Sequence, residues 1–217
     1  MTQDMIFQNG EGDQWYKRNK GGLSPREDFA CKLIEDIGIH PQRIAEVGCS
    51  NGYRLEYLRQ KYNAQCFGYD ISKEAIERGR EEFPEIYLDS GAAHEIPIGD
   101  PFDLVICYGV LCWIDRSRLV QSMGVIDALV RGGGTLVLGD FYPDYQQKRR
   151  YHHLPNEEVY TYKQDYAAFF KATGLYREIA FFTYNHDERV RGYAPSEKCF
   201  ACTALRKMEK EEYYILT

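Results

Sequence analysis

Short apolar runs alternate with amphipathic segments along most of this chain, a pattern typical of strands that alternate with helices. The run at residues 44–47 ends in small, turn-forming residues, and the helical segment after it places Leu55 and Leu58 one turn apart. Further strand-like runs lie at residues 65–70, 86–88, 102–109 and 135–140. This alternation predicts an α/β fold, Rossmann-like and doubly wound, with helices on both faces of a mostly parallel sheet.

Capping residues and apolar periodicity predict where the helices lie. Ser24, followed by proline and acids, is typical of a helix start, and Ser72 has the same capping role before a second helix. Amphipathic patterns predict further helices at residues 119–130 and 165–171. The segment at residues 8–22 is too rich in glycine and polar residues to predict a regular core element.

Composition excludes several classes of function. The 217 residues fit one α/β domain, and Lys+Arg 27 against Asp+Glu 33 gives a formal net charge of −6, which argues against a nucleic-acid partner. No apolar run approaches the roughly 20 residues of a membrane span, and no signal-peptide pattern is seen, so we expect a cytoplasmic protein without a membrane partner. The seven cysteines are scattered, which predicts reduced core thiols and no metal site.

The turn after the first predicted strand carries the strongest functional signal. Glu46-x-Gly48-x-x-x-Gly52 joins that strand to a helix: Gly48 allows a sharp turn, and Gly52 allows a ligand to approach the helix start. The next strand-like run ends at Asp70. A carboxylate in this place, about 20 residues past a nucleotide-binding glycine turn, can accept the hydroxyls of a ribose.

These residues resemble motif I and its successor in class I S-adenosylmethionine-dependent methyltransferases. The resemblance covers about residues 24–206 and implies a seven-stranded sheet whose last strand is antiparallel, with S-adenosyl-L-methionine as the cofactor. The acid at Glu46 suits a sulfonium cation and disfavours the pyrophosphate of a dinucleotide. The resemblance and the strand ends together predict further cofactor-binding residues: Ser50, Ile71, Ala92, Ala93, His94, Cys107 and Tyr108.

The predicted adenine-binding segment departs from the family pattern. Counting back from Pro97, Ala92 stands where the family usually has an aspartate for the adenine amino group. The hydrogen-bond acceptor is then expected from Asp89, His94, a backbone carbonyl or water. The backbone amide at Ala93 is expected to remain available.

Residues 1–23 are predicted to form an N-terminal segment that closes over the cofactor. Glycines flank the pair Trp15 and Tyr16, and Arg18 follows closely. The string is similar to one at the start of bacterial small-molecule methyltransferases associated with sugars and surface polysaccharides, so all three side chains are assigned to the cofactor site. The alternative is that the aromatic residues only anchor the terminus to the surface.

The substrate side is predicted at residues 141–163, a long connection with little periodicity after the fifth strand. It contains His152 and His153, and Asp140 precedes it, so these three are the candidate bases for removing a proton from the acceptor, with a slight preference for His152. The basic run at residues 148–150 could hold the phosphate of a sugar nucleotide or be a solvated patch.

The sequence therefore favours methyl transfer to an oxygen or nitrogen nucleophile of a small polar metabolite, with a sugar or sugar nucleotide of surface-polysaccharide biosynthesis as the preferred acceptor. Two alternatives stay open: a non-catalytic S-adenosylmethionine-binding partner subunit, and an NAD-dependent oxidoreductase. The small-molecule acceptor is the expected partner, and a homodimer is one candidate assembly. Residues 207–217 are expected to form a solvated charged tail.

Overall fold

The structure is a computed structural model that describes residues 2–212. The strands are β1 (Arg43–Val47), β2 (Gln65–Asp70), β3 (Tyr87–Ser90), β4 (Phe102–Tyr108), β5 (Val130–Phe141), β6 (Gln147–Arg150), β7 (Tyr160–Lys163), β8 (Tyr176–Asn185), β9 (Val190–Arg191) and β10 (Cys199–Lys207). The helices are α1 (Gln3–Ile6), α2 (Gly12–Asn19), α3 (Phe29–Asp36), α4 (Tyr53–Tyr62), α5 (Lys73–Glu82), α6 (Leu119–Leu129) and α7 (Ala167–Ala172). A π-helical turn, Phe7–Glu11, joins α1 to α2, and 3₁₀ turns lie at Lys20–Gly22, Leu111–Trp113 and Lys210–Glu212.

One large sheet has the strand order β3-β2-β1-β4-β5-β10-β8-β9. The neighbours from β3 to β5 pair in parallel, whereas β10 is antiparallel to both β5 and β8. The Rossmann-like α/β prediction and the antiparallel last strand are confirmed. Within residues 2–212 the sheet has eight strands rather than seven, because the two-residue strand β9 pairs with the end of β8 at the edge.

Two apolar layers cover the faces of the sheet. Along β4, Leu104 and Ile106 belong to the layer that contains α3 and α4 residues, while Val105 and Cys107 belong to the layer that contains α6 and α7 residues. Successive side chains of a strand point to opposite faces, so a strand covered on both sides needs an unbroken apolar run. This arrangement buries β4 and leaves the carboxyl ends of the parallel strands to form a site.

The N-terminal segment differs from the sequence prediction because it is helical. Its side chains pair with distant parts of the chain: the Gln3 amide donates to the carbonyl oxygens of Trp113 and Tyr160, at 2.6 and 2.8 Å. The Asp13 carboxylate accepts from the Ser72 hydroxyl at 2.7 Å. Tertiary contacts of this kind stabilise helices that composition alone disfavours.

The predicted start of α3 at Ser24 was wrong by one turn. Asp28 caps the helix, since its carboxylate accepts from the backbone amides of Ala30 and Cys31 at 3.0 and 3.1 Å. Asp28 also forms an ion pair with Arg54, at 2.8 Å, which fixes the capping side chain from the other side. The predicted cap at Ser72 is confirmed, because its hydroxyl accepts from the Ala75 amide.

The region expected to be irregular, residues 141–163, contains a regular hairpin. Strands β6 and β7 pair in antiparallel register, with Arg149 opposite Thr161. At the other end of the chain, β10 runs to Lys207, so the predicted tail begins inside a strand. Residues 213–217 of that tail lie outside the described residues. None of the helices found between residues 2 and 212 combines the length and the apolar character of a membrane span.

Candidate active site

A cavity of about 1430 Å³ lies at the carboxyl ends of β1, β2, β4 and β5. This exceeds the roughly 300–1,000 Å³ of pockets that hold one small molecule, so the cavity has room for a cofactor and an acceptor together. Residues of the N-terminal segment, including Asp4, Phe7 and Trp15, form part of its wall. The position agrees with the rule that open α/β sheets bind ligands outside the carboxyl ends of their strands.

The turn after β1 is held by the end of β2. The backbone amides of Gly48 and Cys49 donate to the Tyr69 carbonyl oxygen at 2.7 and 3.1 Å. The Asp70 carboxylate accepts from the amides of Ser50 and Ser72, each at 2.8 Å. Each carboxylate oxygen can accept a second hydrogen bond, so Asp70 is fixed in place and keeps capacity for a ligand at the cavity wall. Burial raises the pKa of this carboxyl group.

The two glycines of the turn are required by the protein itself. Gly48 has φ +77°, and a Cβ there would lie 2.1 Å from a methyl carbon of Val110. Gly52 has φ +79°, and a Cβ there would lie 3.1 Å from Leu88. Only glycine adopts these φ values without strain. Gly48 lines the cavity, but Gly52 is absent from the lining, so its role is in the start of α4 rather than in ligand approach.

Glu46 has a different environment from the one that the sequence suggested. Its side chain is fully buried and forms an ion pair with the Arg54 guanidinium, which also pairs with Asp28. Burial raises the pKa of Glu46 to about 7. Because Arg54 lies in the cavity lining and Glu46 does not, the acid supports the site from behind rather than facing a ligand.

The structure brings most of the predicted cofactor residues to the cavity. Those in the lining are Trp15, Gly48, Ser50, Asp70, Ile71, Ala92, Ala93, His94 and Tyr108. Those outside it are Tyr16, Arg18, Glu46, Gly52 and Cys107. Tyr16 lies instead in a smaller cavity beside α5, and Cys107 is buried in the core, where burial raises the pKa of its thiol.

Arg18 joins the N-terminal segment to the substrate-side hairpin. Its guanidinium pairs with Glu11 and donates to the Tyr151 hydroxyl at 2.8 Å. That hydroxyl in turn donates to the Glu11 carboxylate at 2.7 Å. The predicted cofactor contact of Arg18 is therefore replaced by a structural role, in which three side chains connect the wall of the cavity to the segment that carries the histidines.

His152 and His153 both line the cavity, with ring centroids 3.9 Å apart. The pKa of His153 is lowered, first by burial and then by the positive charges of Arg18 and His152. A histidine that stays neutral near pH 7 can accept a proton. The pair therefore has a position in the cavity lining that suits a base, and the lowered pKa of His153 favours its neutral form.

Asp140, the third candidate base, lies outside the cavity lining. Its carboxylate is 7% exposed and accepts from the backbone amides of Phe141 and Cys112, at 2.7 and 3.1 Å. Burial raises its pKa to about 7. Through these hydrogen bonds Asp140 connects the end of β5 to the 3₁₀ turn that follows β4.

Two buried oxygen atoms in lining residues show that the cavity suits a polar ligand. Among residues 2–212, the Asp4 Oδ2 and Ser50 Oγ atoms have no hydrogen-bond partner, and both residues line the cavity. Buried polar atoms are rarely left unpaired, so each is available to a ligand with hydroxyl or amino groups. S-adenosylmethionine carries both kinds of group, and Asp70 lines the same cavity.

Sequence reasoning missed Asp4 and Lys163. Lys163 is 5% exposed and lines the cavity, and its ammonium group donates to the Glu197 carbonyl oxygen and lies 3.7 Å from the centroid of the Phe141 ring. Burial and the nearby Arg149 lower its pKa. The available signal was the alternation of β7, in which Thr161 and Lys163 are the buried positions.

Metal-binding side chains are not clustered in the part of the chain that the structure describes. No group of three or more His, Cys, Asp or Glu side chains within residues 2–212 is arranged to hold a metal ion. All seven cysteines are free thiols, and six of them are buried.

Comparison with known proteins supports the resemblance to methyltransferases. A family model described as a methyltransferase domain matches residues 44–134. An uncharacterized methyltransferase from Synechocystis is 28% identical over 126 residues, which is 57% of this chain and 58% of that protein. A dTDP-4-amino-2,3,4,6-tetradeoxy-D-glucose N,N-dimethyltransferase from Saccharopolyspora spinosa is 27% identical over 111 residues, which is 48% of this chain and 42% of that protein.

A solved structure shows the same fold at low sequence identity. The 1,6-didemethyltoxoflavin-N1-methyltransferase of Burkholderia thailandensis, with bound S-adenosylhomocysteine, gives a TM-score of 0.64 at 11% identity and covers 83% of this chain and 76% of that chain. This chain spans about half the length of the curated relatives it matches. Residues 44–134 are therefore similar to a methyltransferase domain, and the chain has the fold of the solved S-adenosylhomocysteine-bound methyltransferase.

Proposed function

We propose that this chain transfers a methyl group from S-adenosyl-L-methionine to an oxygen or nitrogen atom of a small anionic metabolite, with a sugar nucleotide of surface-polysaccharide biosynthesis as the favoured acceptor. The observation that carries the proposal is one cavity with two chemically different walls. The Asp70 carboxylate and the glycine turn line it at the ends of β2 and β1, and this part is called the first wall. Lys163, in β7, and the two histidines, after β6, line it from the hairpin segment, which is called the second wall.

The first wall suits the cofactor. Asp70 would accept the ribose hydroxyls, and the Ser50 hydroxyl is a buried group without a partner among the described residues. The bound cofactor supplies an electrophilic methyl group on a sulfonium ion. The protein has to align the nucleophile with that methyl group and remove one proton.

The second wall supports an anionic acceptor. Lys163 is a buried cation whose ammonium group is bonded to a carbonyl oxygen rather than to a carboxylate. Arg149 and Arg150 line the same cavity, in a chain whose net charge is −6. A phosphate or carboxylate group between these side chains would compensate their charge. The Saccharopolyspora relative is named for a substrate with a dTDP group, which makes a sugar nucleotide a specific candidate.

The histidines would supply the base. His152 and His153 follow β6 at the cavity wall, close to the basic side chains that would orient the acceptor. The Tyr151 ring packs against His153 and Trp113, and its hydroxyl is bonded to Glu11 and Arg18. The histidine pair is thus attached to a rigid aromatic cluster, which would hold it in position for proton transfer.

We also propose that the protein works in the cytoplasm, without a nucleic-acid or membrane partner. Seven free thiols support a reducing compartment, and the negative net charge disfavours polyanions. A homodimer is compatible with this proposal and can be tested by light scattering of the purified protein.

Isotope transfer tests the function directly. The protein is incubated with S-adenosylmethionine labelled on its methyl group and with a panel of dTDP-sugars, UDP-sugars, free sugars and tricarboxylic acids. We expect label on an anionic acceptor, and least transfer to the free sugars. Binding of S-adenosylhomocysteine without transfer to any acceptor, including those in cell extract, would instead indicate a non-catalytic binding subunit. Binding of NAD in preference to S-adenosylhomocysteine would indicate an oxidoreductase.

A further inference from the structure

A buried carboxylate in the N-terminal helix lacks a hydrogen bond on one side. The side chain of Asp4 is 10% exposed, and its Oδ2 atom has no hydrogen-bond partner among residues 2–212. Asp4 nevertheless lines the large cavity. A buried unpaired acceptor costs free energy unless a ligand satisfies it.

The orientation of this carboxylate is fixed by its other oxygen. Asp4 Oδ1 accepts from the backbone amide of Asp115 at 2.8 Å. In return, the backbone amide of the neighbouring residue, Gln3, donates to the Asp115 carboxylate at 2.9 Å. The His94 Nδ1 atom lies 3.8 Å from Asp4 Oδ2, beyond hydrogen-bond distance. The free oxygen is therefore held in the cavity wall rather than able to turn away.

The position of Asp4 relative to Asp70 identifies the part of a ligand that it would meet. The amide of Gly91 donates to the Asp70 carbonyl oxygen at 2.9 Å, so the turn at residues 91–94 lies directly beside the proposed ribose site. Ile71 and Ala92 give this part of the wall apolar surfaces. A base attached to a ribose at Asp70 would meet these apolar surfaces, with one edge toward His94 and the free oxygen of Asp4, which lie 3.8 Å apart.

We propose that Asp4 accepts a hydrogen bond from the exocyclic amino group of the adenine of S-adenosylmethionine, and that it selects a 6-amino purine. This proposal rests on the proposed cofactor. Ala92 offers no side-chain acceptor, and the Asp89 carboxylate pairs with Arg80 at 3.2 Å and is outside the cavity lining. The acceptor is thus supplied by an N-terminal helix instead of by the loop after β3.

The chemistry of aspartate makes the proposal specific. A carboxylate can accept both from the Asp115 amide and from an adenine amino group, one on each oxygen. An asparagine at this place has a single oxygen, and the Asp115 amide already requires it. Its amide nitrogen would then face the adenine amino group, donor against donor.

The experiment compares two ligands by calorimetry: S-adenosylhomocysteine, and its analogue in which hydrogen replaces the 6-amino group. The native chain should bind S-adenosylhomocysteine about 10- to 100-fold more tightly, the range for a charge-assisted hydrogen bond. In the Asp4→Asn and Asp4→Ala variants, the ratio of the affinities for the two ligands should fall to nearly one. The matched control, Asp89→Asn, should keep the full preference, because this acid lies close in sequence but outside the cavity lining.

Each other outcome overturns the proposal. Equal affinity of the native chain for the two ligands, or Asp4 variants that weaken both ligands equally, would leave Asp4 a structural role only. Loss of the preference in His94→Gln, with Asp4→Asn unchanged, would make the histidine the acceptor. If the native chain binds neither ligand, the proposed function fails with it, an outcome distinct from tight binding without preference.

Discussion

The carboxylate of Glu46, at the end of β1, forms a buried ion pair with the guanidinium of Arg54, in the first turn of α4. The two residues flank the glycine turn, so the pair ties the strand to the helix across the segment that lines the cavity. Arg54 also pairs with Asp28, the cap of α3. One guanidinium thus connects three elements behind the proposed cofactor site.

Glu46→Ala should strongly destabilise the protein. The buried Arg54 guanidinium would keep Asp28 as a partner but lose its fully buried one. Removing one partner of a buried ion pair typically costs about 3–5 kcal/mol of the free energy of unfolding. Denaturant unfolding followed by circular dichroism measures this change. The control is Asp36→Ala, which breaks an exposed pair with Arg191 and should cost about 0–1 kcal/mol. Equal costs for the two variants would show that the Glu46 pair is not buried in solution.

The fold was predictable because the apolar runs and turn residues in the sequence agree with the strand pairing of the central sheet. The apolar run of β4 needs layers on both faces, and the acid at Asp70 marks the end of β2. Parallel pairing of β1 with β2 then brings the glycine turn beside that acid. Asp70 and the cavity lining around it follow from these local patterns.

The parts that could not be predicted depend on contacts between distant residues. The N-terminal helices exist because Gln3 pairs with Trp113 and Tyr160, and no local pattern encodes those partners. Glu46 was assigned to the ligand because sequence does not reveal that Arg54 faces it. The unpaired oxygen of Asp4 is likewise visible only once its neighbours are known.

Asp70→Asn should weaken binding of S-adenosylhomocysteine by about 10-fold or more, because a neutral amide replaces a charge-assisted acceptor worth roughly 1.5–3 kcal/mol. The amide keeps one oxygen for the Ser50 or Ser72 backbone amide, which limits damage to the turn. Calorimetric titration measures the change, and Asp89→Asn serves as the control outside the cavity lining. Unchanged affinity would remove the ribose assignment.

The stability of the protein should depend on the protonation of Asp140. Burial raises its pKa from 3.8 to about 7, so the folded state favours the protonated form. The contribution of the protonated Asp140 carboxyl group to the free energy of unfolding is fully present below pH 3.8. It is lost as the pH rises through about 7. Asp140→Asn cannot titrate, and its single oxygen leaves one backbone amide unpaired at a cost of about 1–3 kcal/mol at every pH.

The measurement is the difference in unfolding free energy between the native chain and Asp140→Asn, determined in denaturant at several pH values. Other titrating groups are common to both proteins and cancel. The advantage of the native chain should shrink as the pH rises from about 4 to about 8. A difference that stays constant with pH would show that Asp140 is ionised in the folded protein throughout this range.

Residues 2–22 should act as a cover that tightens on the bound cofactor. They form part of the cavity wall, and several of their contacts with the domain are side-chain hydrogen bonds, such as those of Asp13 with Ser72 and of Gln8 with Glu95. Hydrogen exchange followed by mass spectrometry should show slower exchange of this segment when S-adenosylhomocysteine is added, with α7, which has no residue in the cavity lining, as the unaffected reference. Protection confined to residues 48–70 would mean that the segment is only a fixed terminus.

The histidine pair should govern turnover without governing cofactor affinity. His152 was slightly favoured as the base from sequence, but the structure gives His153 the lowered pKa, caused by burial and by the positive charges of Arg18 and His152. Replacing the base with alanine should lower turnover by about 10²–10⁴-fold, since that is the usual contribution of general-base catalysis, while the affinity for S-adenosylhomocysteine is retained.

The variants His152→Ala and His153→Ala are compared in the isotope-transfer assay across pH, with His40→Ala as the control, because His40 lies outside the cavity lining. We expect the larger loss in His153→Ala, together with loss of the acidic limb of the pH profile that reports protonation of the base. Normal turnover in both cavity variants would exclude the pair. Lys163 would then be the next candidate, because burial lowers its pKa in the same wall, and Lys163→Met should abolish turnover in that case.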